Sequence, residues 1–442
     1  MVGLLTCIML AFVAFPGAAK ASLIRVLVLE SSNCRIRGED AHPLLVAGID
    51  NSVQTISALN LYLDEGNYQI AFDGLSNELI TLPNDGSQII IKSTDPRGIW
   101  IGKRRYKGEL RIHLLPNNLK IVNYIDLENY LSSVVGSEMP ESWPIAALQA
   151  QAIASRTYAM QQIGENPIYD ILSNQNSQVY LGIESETDST IRAVKTTKSL
   201  VITYQGDLIN AVFHSSSGGR TEDSGNVWKY QLPYLVSVAD YDQHNPMYEW
   251  GISFDNLQLK NAFPEIGGLY SIEVLSKSNA GRVLNARFYG PNGSIDLLGR
   301  EIRERLKLRS TLIDLDVLAS SSSLERELIN GQEHNNINLR ESWSLDSLYA
   351  ELDSNQVPSY SFAPGPLPEL QLDNLAVRGY QSPQPLPPIP TNFVLEVNGQ
   401  GSGHGVGMSQ WGAYGLAMEG ADFREIIHHY YKNVQITQNS FL

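Results

Sequence analysis

The stretch of sequence that decides the fold is residues 124–159, which read YIDLENYLSSVVGSEMPESWPIAALQAQAIASRTYA. Apolar residues in its first part recur at three- and four-residue spacing, which is typical of an amphipathic helix. We expect residues 136–140 to interrupt that helix, and we expect Ser142 to cap the next one, with Pro144 in its first turn. The second helix, predicted to run to about Gln162, is rich in alanine. Because small side chains let neighbouring backbones approach, it is predicted to be central.

The residues on both sides of these helices have the composition of strands. Over residues 22–119, short runs of branched residues alternate with turn sequences such as Asn84-Asp85-Gly86. Further runs typical of strands lie within 178–214 and at 283–289, and a helix is expected at about 298–306. The sequence therefore predicts an α+β fold, a mixed β-rich core with a central Ala-rich helix, preceded by an accessory β domain.

Composition changes sharply in the last third of the chain. Residues 320–390 are polar and rich in proline, and such a segment buries too little apolar surface to offset its ordering entropy. We therefore predict a flexible insertion, with short helices near 342–352 as the alternative for one part of it. A strand, a glycine run and a final helix from about Ser409 to Tyr431 follow. The predicted division is a signal peptide at 1–21, an accessory β domain at 22–119, a catalytic domain at 120–319 and 391–442, and the insertion at 320–390.

The first residues have features of a secretory signal peptide. The apolar run Val2–Phe15 is shorter than the about 20 residues of a membrane-spanning helix, and a small-x-small pattern follows at Ala19–Ala21. This favours export, with the mature chain starting near Ser22 and residing in the periplasm or cell wall. No Lys or Arg precedes the apolar run, and the alternatives are an uncleaved segment that anchors the protein in the membrane or a buried core segment.

Charge and metal-ligand spacing exclude several classes of partner. The 442 residues carry 32 Lys and Arg against 47 Asp and Glu, for a net charge of −15. A surface of this sign repels polyphosphate, and no Lys/Arg-rich run makes an exception, so nucleic acid is not expected as a partner. Only Cys34 follows the predicted signal peptide, so no internal disulfide is expected. His428 and His429 would point apart on a helix, and no His/Cys cluster has zinc spacing, so no metal or cofactor is predicted.

Candidate site residues occur where polar side chains are set in glycine- or alanine-rich backbone. Glu138 lies just before a predicted helix N-terminus, where a surface carboxylate stabilised by the helix dipole is the simpler interpretation. Arg156, followed closely by Tyr158, is surrounded by alanines, so a solvated helix face is hard to draw for it. A partly buried Arg needs a carboxylate partner, and Glu138 is a reasonable candidate.

Two later segments have the same character. His214 ends a predicted strand, where a lone His is more often structural than catalytic, and it opens onto Ser215, Ser216 and two glycines. No Gly-x-Ser-x-Gly elbow surrounds these serines, so their hydroxyls suit contacts to a sugar or an N-acetyl group. The glycine run at 399–407 matches no nucleotide-binding motif. Its His404 can line a groove because glycines let a ligand approach the backbone, and Gln410 lies at the following helix start.

Taken together, these residues resemble the stage II sporulation protein D family. The match covers roughly residues 107–436 without the insertion, its blocks follow the family's order, and long blocks are more specific than any short motif. The blocks that carry the resemblance are residues 124–131, 134–140, 143–144, 147–152, 154–159, 213–222, 227–228, 233–235, 403–413 and 430–432.

The resemblance implies a lytic transglycosylase that cleaves peptidoglycan glycan strands, preferably denuded ones, to 1,6-anhydro-muramic products. The family's catalytic acid falls on Glu138, and Arg156 matches a family arginine near the active site. Ordinary glycosidases need two carboxyl groups, whereas here the sugar's own 6-hydroxyl is the nucleophile and one Glu is acid and then base. That Glu needs a raised pKa, which a helix N-terminus and Arg156 would both oppose.

Zinc binding and two alternative functions can also be judged from the sequence. Some family members bind zinc through cysteines around the segment corresponding to residues 169–180. This chain has Ser173 and Ser177 there and no cysteine, so we predict no zinc. One alternative function is a non-catalytic protein similar to amidase enhancers, which binds wall material and stimulates a separate cell-wall amidase or other wall-remodelling protein. Another is a serine esterase that uses Ser216 and His214.

Overall fold

The computed structural model describes residues 23–39, 42–49, 52–73, 79–82, 85–319 and 393–439. The predicted signal peptide and the predicted proline-rich insertion lie outside these residues. Contacts group the chain into two compact units, residues 1–248 with 400–442, and residues 249–399. The described residues contain more strand than helix, which agrees with the predicted α+β class.

The strands, in chain order, are β1 (Leu23–Ser31), β2 (Asn33–Arg37), β3 (Leu44–Ala47), β4 (Gln54–Ile56), β5 (Ala58–Asp64), β6 (Asn67–Asp73), β7 (Ile80–Leu82), β8 (Gln88–Ser93), β9 (Ile99–Ile101), β10 (Arg104–Tyr106), β11 (Glu109–Leu114), β12 (Leu119–Asp126), β13 (Ile171–Leu172), β14 (Leu200–Tyr204), β15 (Asp207–Leu208), β16 (Phe213–His214), β17 (Glu249–Phe254), β18 (Ser271–Lys277), β19 (Val283–Gly290), β20 (Gly293–Leu298), β21 (Ile313–Ala319), β22 (Phe393–Gln400), β23 (Met408–Ser409) and β24 (Gln435–Gln438). The α-helices are α1 (Leu127–Glu138), α2 (Ile145–Gln161), α3 (Asp188–Thr196), α4 (Ser224–Val227), α5 (Asn256–Ala262), α6 (Gly299–Arg305), α7 (Gln410–Met418) and α8 (Phe423–Tyr430), and short 3₁₀ turns lie at Ile183–Ser185 and Pro264–Ile266.

Two antiparallel-rich sheets contain the first twelve strands. A seven-stranded sheet has the order β13-β1-β12-β11-β8-β3-β4, and a six-stranded sheet has the order β10-β9-β2-β5-β6-β7. Alternate residues of β2 and β8 are buried, as expected where one face of a strand packs on a core.

The structure groups these strands differently from the predicted domain division. The proposed boundary between residues 119 and 120 falls at the start of β12, which pairs with both β1 and β11 and then leads directly into α1. In addition, β13, which follows α2, pairs in parallel with β1. Strands on the two sides of the predicted boundary are therefore hydrogen-bonded to each other. The strands of residues 22–119 and the helices α1 and α2 belong to one unit.

The end of α1 differs from the sequence prediction. The helix does not break at Gly136 but continues to Glu138, and Met139 takes an extended conformation. Gly136 has a packing role instead, because a Cβ there would lie 1.8 Å from the carbonyl oxygen of Ser185. The prediction that residues 136–140 interrupt the helix is therefore wrong for residues 136–138.

The start of α2 also differs, while its end agrees. Ser142 does not cap the helix; Pro144 occupies the cap position without a side-chain hydrogen bond, and the helix begins at Ile145. Most of its 17 residues are buried, and it packs against α1, α3, α7, α8 and β14. Alanines permit these approaches because they add little volume beyond the backbone.

Two predicted strands and one predicted helix take other forms. Residues 178–180 are irregular because their backbone donors are used elsewhere: Val179 donates to the Glu138 side chain, and Tyr180 donates to the Ser173 carbonyl. The run from Leu208 to His214 is strand only at β15 and β16. The final helix is two helices, because Gly420 adopts a φ of +99° and a capping box starts α8.

The second unit, residues 249–399, has its own core. It contains the sheets β17-β22-β21 and β18-β19-β20 with α5 and α6. Phe263 and Phe288 stack at its centre with ring centroids 4.9 Å apart. Among the described helices of the chain, none combines the length and the apolar composition that a membrane crossing requires.

Candidate functional site

Glu138 is the last residue of α1, and both oxygens of its side chain are held. The Val179 backbone N–H donates to Oε1 at 2.9 Å, and the Gln410 side-chain amide donates to Oε2 at 2.9 Å. The residue as a whole is half-buried. Three distant parts of the chain therefore meet at one carboxyl group.

Burial raises the pKa of the Glu138 carboxyl, although the hydrogen bonds from Val179 and Gln410 act in the opposite direction. The sequence analysis expected a helix N-terminus and Arg156 to lower the pKa of Glu138 as well. Neither expectation is met in the structure. Glu138 lies at the C-terminal end of α1, where the helix dipole disfavours a negative charge, rather than at a helix N-terminus. Arg156 forms its ion pair with a different carboxylate. The structure therefore favours a protonated Glu138 more than the sequence suggested.

Arg156 is fully buried and pairs with Glu128, not with Glu138. Its Nε and Nη2 atoms each lie 2.8 Å from a carboxylate oxygen of Glu128, and Nη1 donates to the Leu200 carbonyl oxygen at 3.1 Å. The prediction that Glu138 is its partner is wrong. At 0% exposure the guanidinium joins α1, α2 and β14 and does not present itself to a ligand.

The donors around Glu138 are themselves fixed. The Gln178 side chain accepts from the buried Tyr130 hydroxyl at 3.1 Å and donates to the Ser155 carbonyl at 3.2 Å, which sets the backbone just before Val179. Tyr158 is partly exposed, and its hydroxyl interacts with Ser177. Tyr158 therefore lies against the segment that supplies the Val179 donor.

His214, Ser215 and Gln410 are brought into one region by a short parallel pairing. In β16 and β23, His214 lies opposite Ser409, and the Trp411 N–H donates to the Ser215 carbonyl oxygen at 3.0 Å. The His214 ring is 5% exposed, and its Nδ1 lies 3.1 Å from the Val406 carbonyl oxygen. This pairing places the start of α7, and with it Gln410, beside the serine segment.

The serine hydroxyls are engaged inside the fold. Ser216 is fully buried and donates to Asp242 at 2.5 Å, and Ser217 donates to Asp240. The backbone N–H groups of residues 218 and 219 also donate to Asp242. Ser216 therefore does not have the exposed hydroxyl of a nucleophile paired with His214, and the geometry does not support the esterase alternative.

His404 lies on the glycine loop, and its ring makes tilted contacts with two neighbouring rings. Its ring centroid is 5.4 Å from that of His214 and 5.2 Å from that of Trp228. The loop approaches His214 closely because residue 403 is glycine, with a φ of +105°. A Cβ at this position would lie only 2.7 Å from the Cβ of His214. His404 is partly exposed, as a ligand contact requires.

Sequence reasoning missed several groups at this site. Trp143, Trp411 and Tyr414 form a cluster with ring centroids 4.7 to 5.5 Å apart, directly after Glu138 and Gln410 in sequence, and all three rings are partly exposed. Trp143 and Trp411 stood within the matched blocks and could have been singled out. The Val179 N–H carried no sequence signal, because a backbone donor is revealed only by the fold.

No metal-binding group emerges from the part of the chain that the structure describes: no three His, Cys, Asp or Glu side chains there converge as ligands. Within residues 169–180, where the sequence analysis predicts no zinc, internal hydrogen bonds close the loop. Tyr180 N–H donates to the Ser173 carbonyl at 3.2 Å, and the Ser177 hydroxyl accepts from Leu172 N–H at 3.3 Å. The absence of zinc stays a prediction.

Comparison with known proteins gives consistent matches. Residues 116–204 match the family model described as stage II sporulation protein. The chain is 28% identical over 358 residues to an uncharacterized protein of Brachyspira hyodysenteriae, covering 79% of this chain and 76% of that one. It is 29% identical over 312 residues to the amidase enhancer of Bacillus subtilis, covering 70% of this chain but 40% of that protein. To the stage II sporulation protein D of Bacillus subtilis it is 25% identical over 337 residues, covering 72% and 76%.

Proposed function

This chain belongs to the stage II sporulation protein D family, and on that premise we propose that it is a peptidoglycan lytic transglycosylase with Glu138 as its acid and base. The substrate would be the glycan strand, with denuded strands preferred, and the products would carry 1,6-anhydro-muramic ends. The family's part in cell-wall remodelling, and the name of the amidase enhancer relative, support the broader assignment to the cell wall.

The observation that carries the proposal is the environment of Glu138. Burial raises the pKa of the Glu138 carboxyl, so the protonated form persists to higher pH than for an ordinary glutamate. The hydrogen bonds from Val179 and Gln410 fix the direction of both oxygens. A fixed carboxyl with a raised pKa is what general acid catalysis on a glycosidic oxygen requires.

The reaction needs one carboxyl group. Protonated Glu138 donates its proton to the bridging oxygen as the bond from that oxygen to C1 breaks, and positive charge develops on the sugar ring. The 6-hydroxyl of the same sugar then bonds to C1, and the Glu138 carboxylate takes the hydroxyl proton. The carboxyl returns to its starting state, and no water is consumed. The partly exposed His404 and Tyr158 would contact the strand, and His214 and Ser215 would shape the surface beneath it.

A second candidate function is favoured by one specific comparison. The alignment with the amidase enhancer covers 70% of this chain, and the name of that relative supports a protein that stimulates a separate amidase. On this alternative, the chain itself would bind wall material without cleaving it. In that case Glu138 would bind the glycan rather than transfer a proton. A wall-remodelling amidase would then be the partner.

We also propose that the protein acts outside the cytoplasm, in the periplasm or cell wall, since its proposed substrate is there. The apolar run at residues 2–15 and the small-x-small pattern after it support export. Fractionation of cells that express the full chain, followed by mass determination of the N-terminus, tests both export and cleavage near Ser22.

The test of the catalytic proposal is incubation of purified protein with denuded glycan strands, with anhydro-muramic ends counted by mass spectrometry. We expect wild type to produce such ends and Glu138→Gln to lose at least about a thousandfold in rate, because the amide cannot deliver a proton. Glu141→Gln is the matched control, because Glu141 is an exposed glutamate three positions further along the chain. It should retain activity.

The two candidate functions give different results in this assay. If wild type yields no anhydro ends but still sediments with cell walls, the transglycosylase proposal fails and the binding protein remains. If Glu138→Gln and Glu141→Gln lose activity equally, Glu138 is not the acid.

A further inference from the structure

We propose that Trp228, held against His404, forms a sugar-stacking subsite for N-acetylhexosamine units of a β-linked glycan strand. This inference rests on the proposed function for its substrate class. It concerns binding rather than proton transfer. Trp228 is 37% exposed although it is one of the largest apolar side chains. An exposed indole is a common feature of binding surfaces, where it offers a large contact area at little entropic cost.

A series of ring and backbone contacts connects this subsite to Glu138. Trp228 contacts His404, and His404 contacts His214, with centroid distances of 5.2 and 5.4 Å. His214 lies opposite Ser409 in the parallel pairing, and the next residue, Gln410, donates to Glu138. The exposed indole and the proposed acid are therefore linked through neighbouring residues of one unit.

Both rings of the subsite are held rigidly. The His404 Nδ1 accepts the Val406 backbone N–H at 3.0 Å, which fixes the ring orientation and places the proton of the neutral ring on Nε2. Its loop is bonded to the serine segment by paired backbone bonds between Ser216 and Ser402, at 3.0 and 2.7 Å. A group fixed before binding loses less entropy when the ligand arrives.

The backbone that carries Trp228 is equally restrained. Its N–H donates to the Ser224 carbonyl at 2.8 Å at the end of α4. The Ser224 hydroxyl accepts from Leu232 N–H at 2.8 Å, and the Asn226 amide donates to Glu222 at 2.9 Å. The indole is therefore presented on a closed loop rather than on a mobile one.

The chemistry of these groups selects the ligand. A pyranose in a β-linked strand has a face of C–H bonds that packs on an aromatic ring, and its N-acetyl and hydroxyl groups can bond to the imidazole and loop amides. A β-linked N-acetylhexosamine unit therefore suits both the indole of Trp228 and the imidazole of His404.

The test uses a linear tetramer of β-1,4-linked N-acetylglucosamine as the probe, with all variants built on Glu138→Gln so that turnover cannot interfere. We expect Trp228→Ala to raise the Kd by about tenfold, equal to about 1.4 kcal/mol, and Trp228→Phe to lie between this value and that of the parent. Tyr230→Ala is the matched control, because Tyr230 is on the same loop and 66% exposed, with Lys229 over its ring. Its Kd should stay within about twofold of the parent, a difference too small for a lost stacking contact.

A second measurement follows the indole itself, and uses the conservative Trp228→Phe variant only to assign its resonance. In protein labelled with 5-fluorotryptophan, the ¹⁹F resonance that is missing from Trp228→Phe should shift when the tetramer is added. An unchanged Kd in Trp228→Ala, equal losses in both alanine variants, or an unmoved resonance would each overturn the subsite. Loss of tetramer binding in Trp228→Ala while wild type makes no anhydro ends would leave the subsite standing and reject the transglycosylase.

Discussion

At the residue scale, the Gln410 amide is the contact on Glu138 whose removal is most informative. Its hydrogen bond lowers the pKa of the carboxyl, against the effect of burial. In Gln410→Ala the pKa should therefore rise, and because the reaction starts from the protonated form, activity should be lost at higher pH than in wild type. The pH profile of kcat/KM on glycan strands measures this shift. We also expect kcat to fall by about tenfold, because the carboxyl loses a positioning contact.

Gln149→Ala is the control for this change, because the Gln149 amide bonds Thr196 at 2.9 Å and not Glu138. Its profile should match that of wild type. An alkaline limb that stays in place or moves to lower pH in Gln410→Ala would show that the amide does not set the protonation of Glu138.

A structural role and a ligand-binding role of Arg156 can be distinguished, because the first predicts a loss of stability and the second a raised KM. Removal of one partner from a buried ion pair costs about 3–5 kcal/mol, so Arg156→Ala should lower the free energy of unfolding by this amount. Urea denaturation measures it. In Arg287→Ala, where both partners of the Asp296 pair are about half exposed, the loss of stability should be much smaller than in Arg156→Ala. An Arg156→Ala protein of normal stability with a raised KM would instead assign the guanidinium to the substrate.

At the element scale, the C-terminal part of α1 depends on a close approach to the turn at Ile183–Ser185. Gly to Ala in a helix usually stabilises by about 0.5–1 kcal/mol. In Gly136→Ala the new Cβ would lie 1.8 Å from the Ser185 carbonyl oxygen, so we expect destabilisation instead, together with displaced Glu138. The midpoint of thermal unfolding tests the sign. Asn129→Ala, an exposed position on the same helix, should leave that midpoint unchanged or raised; equal midpoints for both variants would contradict the role given to Gly136.

The elements that sequence predicted well are those whose pattern is local. The apolar spacing of α1, the alanine-rich α2 and the strand β19 depend on residues close together in the chain. The elements that it predicted wrongly depend on distant partners. Residues 178–180 have a strand-like composition, but their donors are taken by α1 side chains and by Ser173, which no local pattern reveals.

The candidate site divides in the same manner. Glu138 and Gln410 were singled out by residue type and setting, and the structure brings them together. The partner of Arg156 was missed because Glu128 lies one helix back, in a run of residues that fits a solvated helix face equally well. Trp228 was quoted only as part of a block, since exposure of a side chain is a property of the folded surface.

At the scale of the whole molecule, the two units have separate hydrophobic cores, so we expect a core mutation to destabilise only the unit that contains it. Phe288 belongs to the core of residues 249–399 and stacks on Phe263. Phe288→Ala should cost about 3–5 kcal/mol in that unit. Differential scanning calorimetry should show one transition lowered and another unchanged.

Activity on glycan strands at moderate temperature serves as the control for Phe288→Ala, since Glu138 and its partners lie in the other unit. Tyr68→Ala, which opens the core of the first unit, should lower the other transition. One cooperative transition that moves as a whole in both variants would show that the units unfold together.

The place where the chain departs from the first unit and rejoins it has an evolutionary consequence. The Gly401 N–H donates to the Tyr248 carbonyl oxygen at 2.9 Å, so the intervening 249–399 segment begins and ends at neighbouring points of one backbone. A gene could therefore gain, lose or exchange this cassette by recombination while the surrounding architecture is kept. A chain in which a short Gly/Ser turn joins Tyr248 to Gly401 should fold and keep its affinity for the N-acetylglucosamine tetramer; a molten product would show that the cassette is no longer separable.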